Sequence, residues 1–169
     1  MNPNDFMNAA QLLCSQSSED CHRSAVSRAY YSIYLSLRAE VISQLNNITL
    51  GGASLGKNQD IAHTKLAKCL QLCPPTQSIG DKLLQLLAAR HTADYHMNHF
   101  VDRQYAADKI SDAQGLKTKI DTFSYSPASG APSTKSASGN LNATAGSTIN
   151  GSKAVIAALK DHLVPLYGQ

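Results

Sequence analysis

The sequence predicts an all-α protein: an antiparallel bundle of four or five helices, then a flexible Ser/Gly-rich linker and a short C-terminal helix. Apolar residues recur at spacings of three and four along most of the chain, and no segment alternates as a strand would. Hydrophobic residues make up 43% of the 169 residues, enough for a folded core. Short connections between the helices favour antiparallel neighbours. The predicted units are a bundle at 1–123, a linker at 124–151 and a terminal helix at 152–169.

Two helices are predicted in the N-terminal part. The first covers about residues 5–15, and the second begins at Ser17 or Ser18, where the run Ser-Ser-Glu-Asp resembles a capping box. The second helix carries an apolar stripe with alternating spacings of four and three. The stripe consists of Val26, Tyr30, Ile33, Leu37 and Val41. Asn and Gly pairs within 46–52 end this helix and open a flexible loop that reaches about Gln59.

Three more helices complete the predicted bundle. The third carries Ile61 and Leu70 on its apolar face and is stopped by Pro74-Pro75. The fourth opens near Ser78 and contains four leucines before a polar cluster. The fifth covers about residues 102–123, with apolar positions facing inward. Those positions are Ala106, Ile110, Ala113, Leu116 and Ile120.

The composition changes abruptly between Ser124 and Gly151 to Ser, Gly, Ala, Thr, Asn and Pro. Such a segment buries too little surface to offset its ordering entropy, so it is predicted to be a flexible linker. The following helix is capped by Ser152 and ended by Pro165. Because a short amphipathic helix is marginal alone, it either docks on the bundle or binds a partner.

Composition excludes several classes of protein. The net charge of +3 permits a local nucleic-acid-binding patch without requiring one. No apolar run is long enough to cross a membrane, and the first residues lack the pattern of a secretory signal. The four cysteines form no CxxC pair, so we expect buried thiols in a reducing compartment, and a cytoplasmic protein.

Residues 86–99 carry the chemistry of this chain. Six polar side chains follow an apolar run here: Arg90, His91, Asp94, Tyr95, His96 and His99. Arginine binds phosphate with two parallel hydrogen bonds, and histidine exchanges a proton near neutral pH. These are the two functions that metal-free cleavage of a phosphodiester requires. We therefore take these six residues as the candidate functional site.

Two segments resemble one family. Ser27-Arg-Ala-Tyr-Tyr-Ser-Ile-Tyr34 resembles the Arg-Ala-Tyr-Tyr signature of HEPN domains, which are nucleotide- and RNA-associated helical bundles. Arg90-His-Thr-Ala-Asp-Tyr-His96 is similar to the Arg-x(4–6)-His motif of that family. Its Ala-Asp-Tyr portion resembles a small stand-alone HEPN subgroup in which an arginine precedes Ala-Asp-Tyr by two residues. The resemblance covers about residues 5–123.

The resemblance implies a metal-independent endoribonuclease that acts as a symmetric homodimer, with Arg and His of both subunits lining one cleft. Arg90 would bind the scissile phosphate of RNA, and His96 would take or give a proton. The resemblance thus makes Arg90 and His96 the candidate catalytic residues, with His91, Asp94 and Tyr95 in support, and Tyr95 would stack on a base. The family also implies the toxin of a toxin–antitoxin or antiviral system, with any nucleotidyltransferase-type antitoxin on a separate chain. No cofactor and no metal are expected.

Helix geometry complicates this interpretation. Six residues at roughly 100° each leave Arg90 and His96 about 120° apart around a straight helix, whereas Arg90 and Asp94 share a face. Either the helix is distorted near Thr92, or a two-fold axis assembles the site.

Other interpretations stay open. Arg90 and Asp94 are also spaced as a structural ion pair, and histidines at a helix end are also favoured simply as polar groups. The spacing of His96, His99 and Asp102 permits a metal ion without matching a known ligand motif. The tyrosines of the second helix are expected in the core or at a dimer interface. The competing functions are a non-catalytic HEPN module that binds a nucleotide or scaffolds a complex, and a bundle whose Arg/His cluster supports dimerisation.

Overall fold

The computed structural model describes residues 2–44, 49–50, 53–54, 63–126 and 148–167, with the backbone alone for 42–44, 49–50, 53–54 and 162–167. The helices are α1 (Pro3–Cys14), α2 (Glu19–Gln44), α3 (His63–Leu72), α4 (Gln77–Tyr95), α5 (Arg103–Asp121) and α6 (Ser152–Tyr167). The strands are β1 (Thr49–Leu50), β2 (Ala53–Ser54), β3 (Ser124–Tyr125) and β4 (Ile149–Asn150). The prediction of an all-α helical bundle is confirmed.

Capping residues explain where the first two helices begin. Asn2 accepts a hydrogen bond from the backbone N–H of Asn4, and the Asp5 carboxylate accepts one from the N–H of Asn2, which together form a capping box. At α2 the hydroxyl of Ser18 accepts from the N–H of Cys21, at 3.4 Å. The capping box is therefore at α1, whereas the sequence predicts it at α2.

The core is built around α2, which packs against α1, α4, α5 and α6. Its stripe of Val26, Tyr30, Ile33, Leu37 and Val41 is almost fully buried, as the periodicity predicts. Pro74 ends α3 at Leu72 as predicted, and a short 3₁₀ turn at Pro74–Thr76 leads directly into α4. This connection sets α3 against α4, which carries the candidate site.

The C-terminal helix docks on the bundle. Ala154, Val155, Ile156 and Ala158 are fully buried, and α6 contacts α2, α3 and α5. The expectation that Pro165 ends this helix is wrong, because α6 runs to Tyr167. Proline removes one N–H donor, and a helix can lose that hydrogen bond near its end without stopping.

The two ends of the predicted linker are paired with each other. β3 and β4 form an antiparallel ladder, in which Ser124 lies opposite Asn150. The Tyr125 hydroxyl donates to the carboxylate of Asp161 on α6, at 3.1 Å. The expectation of flexibility is therefore wrong at both ends, and the middle of the linker, at 127–147, lies outside the described residues. The predicted loop after α2 is also partly ordered, since β1 pairs with β2.

Within the part of the chain that the structure describes, no helix is both long enough and apolar enough to cross a membrane.

Candidate functional site

The candidate site lies on the last two turns of α4. Arg90 and Asp94 share one face of the helix, as their spacing predicts, and the Nε of Arg90 lies 2.7 Å from the Oδ2 of Asp94. The two side chains are 13% and 24% exposed, so the ion pair is half-buried rather than on the open surface. The N–H at Nε is not aimed at an acceptor, which leaves this buried atom without a hydrogen bond. The contact is thus an ion pair without an aligned hydrogen bond.

The opposite wall of the site comes from α2. The Ser27 hydroxyl donates to Oδ2 of Asp94 at 3.3 Å, and Nη2 of Arg90 donates to the Tyr31 hydroxyl at 3.4 Å. The guanidinium carbon of Arg90 also lies 5.7 Å from the centre of the Tyr31 ring. The fold therefore brings together the two segments that resemble HEPN motifs, by direct contacts between their polar side chains.

The neighbouring side chains stabilise the positive charge of Arg90. Burial works against the guanidinium cation, but Tyr31, Asp94 and Tyr95 more than offset it, so the pKa of Arg90 lies above its ordinary value. Tyr95 stacks under the cation, with its ring centre 5.0 Å from the guanidinium carbon. The ring of His91 meets Tyr95 edge-on at 5.8 Å. His91 and Tyr95 are both exposed, as partners for a ligand must be.

His96 lies just beyond the helix. α4 is unbroken to Tyr95, and His96 follows as its C-cap, with φ −99° and ψ 80°. Its N–H donates to the carbonyl of Thr92, and its exposed side chain is not among the described contacts of Arg90. The helix is therefore not distorted near Thr92. Among the described contacts of a single chain, Arg90 and His96 do not meet.

Sequence reasoning missed a second arginine at this site. Arg23 on α2 is 9% exposed, and its guanidinium donates to the backbone carbonyls of Ala93, His96 and His99. Arg23 also pairs with Glu19, one turn earlier on α2. The sequence signal was an i,i+4 Glu–Arg pair, which resembles any exposed helix pair, so nothing local indicated contacts some 70 residues away.

A histidine from α3 joins the tyrosines of α2. Nδ1 of His63 lies 2.8 Å from the Tyr30 hydroxyl, and its ring lies 4.1 Å from that of Tyr34 and 5.6 Å from that of Tyr31. Burial, and then the neighbouring Tyr34 and Tyr31, raise the pKa of Tyr30. Tyr30 and Tyr34 are core residues as expected, whereas the half-buried Tyr31 touches both His63 and Arg90.

The turn after α4 forms a shallow open depression lined by residues 95–99. Tyr95, Met97 and Phe100 are 63%, 72% and 70% exposed. His99 packs on the ring of Tyr105 at 5.7 Å, and Asp102 caps α5 by accepting from the N–H of Tyr105 at 2.7 Å. Among the described residues, no three His, Cys, Asp or Glu side chains are placed to hold a metal ion.

Comparisons of the chain with protein-family models, with curated proteins and with solved structures gave no match.

Proposed function

We propose that this chain is a metal-independent endoribonuclease of HEPN type that cleaves RNA through attack by the ribose 2′-hydroxyl. One observation carries the proposal: the Tyr-Tyr segment of α2 and the Arg-x(5)-His segment of α4 meet through the contacts of Tyr31 with Arg90 and of Ser27 with Asp94. A guanidinium held by an aromatic hydroxyl and a carboxylate is oriented before any ligand arrives, which is the condition for stabilising transition-state charge.

The proposed reaction is a transesterification. A base takes the proton of the 2′-hydroxyl, the oxygen forms a bond to phosphorus, and the bond from phosphorus to the 5′-oxygen breaks as that oxygen receives a proton. The products are a 2′,3′-cyclic phosphate and a 5′-hydroxyl. Arg90 binds the phosphate and neutralises the charge that accumulates on its oxygens, and His96 serves the proton transfers.

A symmetric dimer solves the geometric problem of this site. Arg90 extends from α4 to Tyr31 on α2, whereas His96 lies past the end of α4 with an exposed side chain. A second copy would bring its own His96 to the cleft, so one imidazole takes a proton while the other gives one. Exposed Tyr95 and Phe100 beside the turn suit such an interface, since aromatic side chains are enriched in protein contacts.

The test is RNA cleavage in the presence of EDTA by the native chain, by Arg90→Ala and by His96→Ala. We expect cyclic-phosphate ends from the native chain and a loss of about a hundredfold or more in each variant, since such groups contribute about 10²–10⁴ in rate. Lys117→Ala is the matched control, because Lys117 also forms an i,i+4 pair with an aspartate, at 2.7 Å, but that pair is solvent-exposed on α5.

Two results would contradict the proposal. Equal activity in all four preparations would identify a contaminating nuclease, and an inert native chain would remove the catalytic assignment. Sedimentation of the native chain tests the dimer separately.

We place the protein in the cytoplasm, as a toxin or antiviral effector whose antitoxin is a separate nucleotidyltransferase-type chain.

A non-catalytic HEPN module is the second candidate, and the exposed apolar side chains at the turn favour it. Met97 and Phe100 project into solvent next to Tyr95, as side chains of a protein-binding surface do. This function predicts binding of a partner or nucleotide with no cleavage, and with no effect of His96→Ala on that binding.

A further inference from the structure

The C-terminal end of α4 has carbonyl groups that its own helix does not satisfy. The last carbonyls of any helix lack intrahelical donors, and the chain leaves α4 at His96 in a non-helical conformation. Arg23 supplies the donors from α2. Its Nη1 donates to the carbonyl of Ala93 at 2.8 Å and, at a longer 3.4 Å, to that of His96, while Nη2 donates to the carbonyl of His99.

Glu19, on the same helix as Arg23, binds both Arg23 and the backbone at the end of the turn. Its Oε1 accepts from Nε of Arg23 at 2.8 Å and from the backbone N–H of Val101 at 3.2 Å. Val101 is fully buried, so the end of the turn is anchored in the core. The hydrogen bond from Val101, ahead of the effect of Arg23, holds the pKa of Glu19 below its ordinary value. The carboxylate is therefore ionised at neutral pH, so that it can pair with Arg23 and accept from the N–H of Val101.

We infer that Arg23 and Glu19 are positioning residues that fix the backbone of the turn at residues 96–101. The inference rests on the proposed function only in giving that turn a role, because the turn carries His96. One guanidinium reaches three carbonyls and one carboxylate receives the following N–H, so both ends of the turn are tied to α2. A backbone held in this way carries its side chains in a fixed geometry.

The contrast with Lys117 and Asp121 shows that this is more than a helix-surface ion pair. That pair has the same i,i+4 spacing and the same shortest distance of 2.7 Å, but its side chains are 37% and 53% exposed. The Arg23 and Glu19 side chains are 10% and 33% exposed. The Nη groups of Arg23 also donate to carbonyls at the end of α4 and in the turn, and the Glu19 oxygen that binds Arg23 also accepts from the N–H of Val101. The i,i+4 spacing alone therefore does not produce contacts with the turn. They form because Arg23 and Glu19 pack against the end of α4.

The first test is amide hydrogen exchange on the full chain, compared among the native protein, Arg23→Ala, Glu19→Ala and the control Lys117→Ala. We expect exchange at His99 and Val101 to accelerate about tenfold or more in the first two variants, and exchange at Leu86 in the middle of α4 to stay unchanged. Lys117→Ala should match the native protein at all three amides. Unchanged exchange at His99 and Val101 in folded Arg23→Ala and Glu19→Ala overturns the inference.

If an Arg23 variant unfolds, Glu19→Ala decides, because it removes the acceptor for Val101 and leaves the carbonyl contacts of Arg23 in place. Arg23→Lys is the conservative rescue. An ammonium group has three donors but no planar fork, so we expect exchange rates between those of the native protein and Arg23→Ala.

RNA cleavage is the second readout and separates this inference from the proposed function. With an active native chain, we expect Arg23→Ala to lower kcat about tenfold or more while KM changes little, because the variant misplaces His96 without removing the phosphate ligand Arg90. An unchanged kcat in a variant whose turn exchanges faster overturns the positioning role. If the native chain is inert, the proposed function fails, and the exchange experiment still decides whether Arg23 and Glu19 hold the turn.

Discussion

Gly80 and Gly115 offer the same substitution in two opposite environments. Both lie inside helices, Gly80 in α4 and Gly115 in α5. A methyl group on Gly80 would lie 2.3 Å from the backbone nitrogen of Gln71 and 2.8 Å from the carbonyl oxygen of Ala67, both in α3. Ordinary contacts begin at 3.4 Å, so α3 and α4 would have to separate by about 1 Å. At Gly115 no atom lies within 4 Å of the added methyl group.

The two substitutions should therefore change the free energy of unfolding in opposite directions. Alanine in place of glycine inside a helix stabilises by about 1 kcal/mol, and Gly115→Ala should gain that amount. At Gly80 the same gain is outweighed, because forcing two packed backbones apart costs more than relaxing a side chain. We expect Gly80→Ala to lower the free energy of unfolding by about 1–3 kcal/mol, or more. For a chain of this size the Tm should fall by roughly 2–12 °C, against a rise of about 2–4 °C for Gly115→Ala.

Urea unfolding followed by circular dichroism measures both variants under one set of conditions. The slope with urea should stay the same as in the native protein, so that the midpoint alone reports stability. A Gly80→Ala variant as stable as the native protein would refute the reasoning, because it would mean that α3 and α4 do not approach each other backbone to backbone. A destabilised Gly115→Ala would refute the assignment of open space around α5.

Two further predictions concern α6 and Glu19. Ile156→Ala should lower the free energy of unfolding by about 2–5 kcal/mol, because Ile156 is fully buried, whereas exposed Lys160→Ala should be close to neutral in the same urea titration. Glu19 has a pKa below its ordinary value of 4.5 in the folded protein, so its stabilising contribution is complete above that pH and is lost as the pH falls through the lower folded value. Unfolding measured from about pH 6 down to about pH 3 should therefore show a steeper loss of stability in the native protein than in Glu19→Gln; parallel curves would contradict this.

The helices were predicted well because each helix shows its own spacing of apolar residues and its own capping or proline residues within a single segment of sequence. The stripe from Val26 to Val41 is buried along its whole length, and Pro74 ends α3 where steric clash requires it. The pairing of β3 with β4 was not predictable in the same way. A two-residue strand has no alternation to detect, and its partner follows 23 residues of linker-like composition, 126–148.

The candidate site was predicted only in part, because some of its contacts lie within one helix and others join two helices. The shared face of Arg90 and Asp94 follows from their spacing, since it depends on one helix alone. The contacts of Tyr31 with Arg90 and of Arg23 with Ala93 depend on how α2 crosses α4, which no single segment encodes. Nothing in the sequence near Arg23 therefore places it at this site.

The two arginines near the end of α4 differ in the kind of partner they hold, and this difference bears on which one meets RNA. Arg23 donates to backbone carbonyls, whose positions are set by the fold, so a phosphate would have to displace the turn itself to reach it. Among the described residues, the partners of Arg90 are side chains, namely Asp94, Tyr31 and Tyr95. Side-chain partners can change rotamer without moving the backbone, so a phosphate can bind the guanidinium while the fold stays as it is. The donor inventory thus favours Arg90 as the phosphate ligand of the proposed reaction, and Arg23 as the residue that fixes the turn carrying His96.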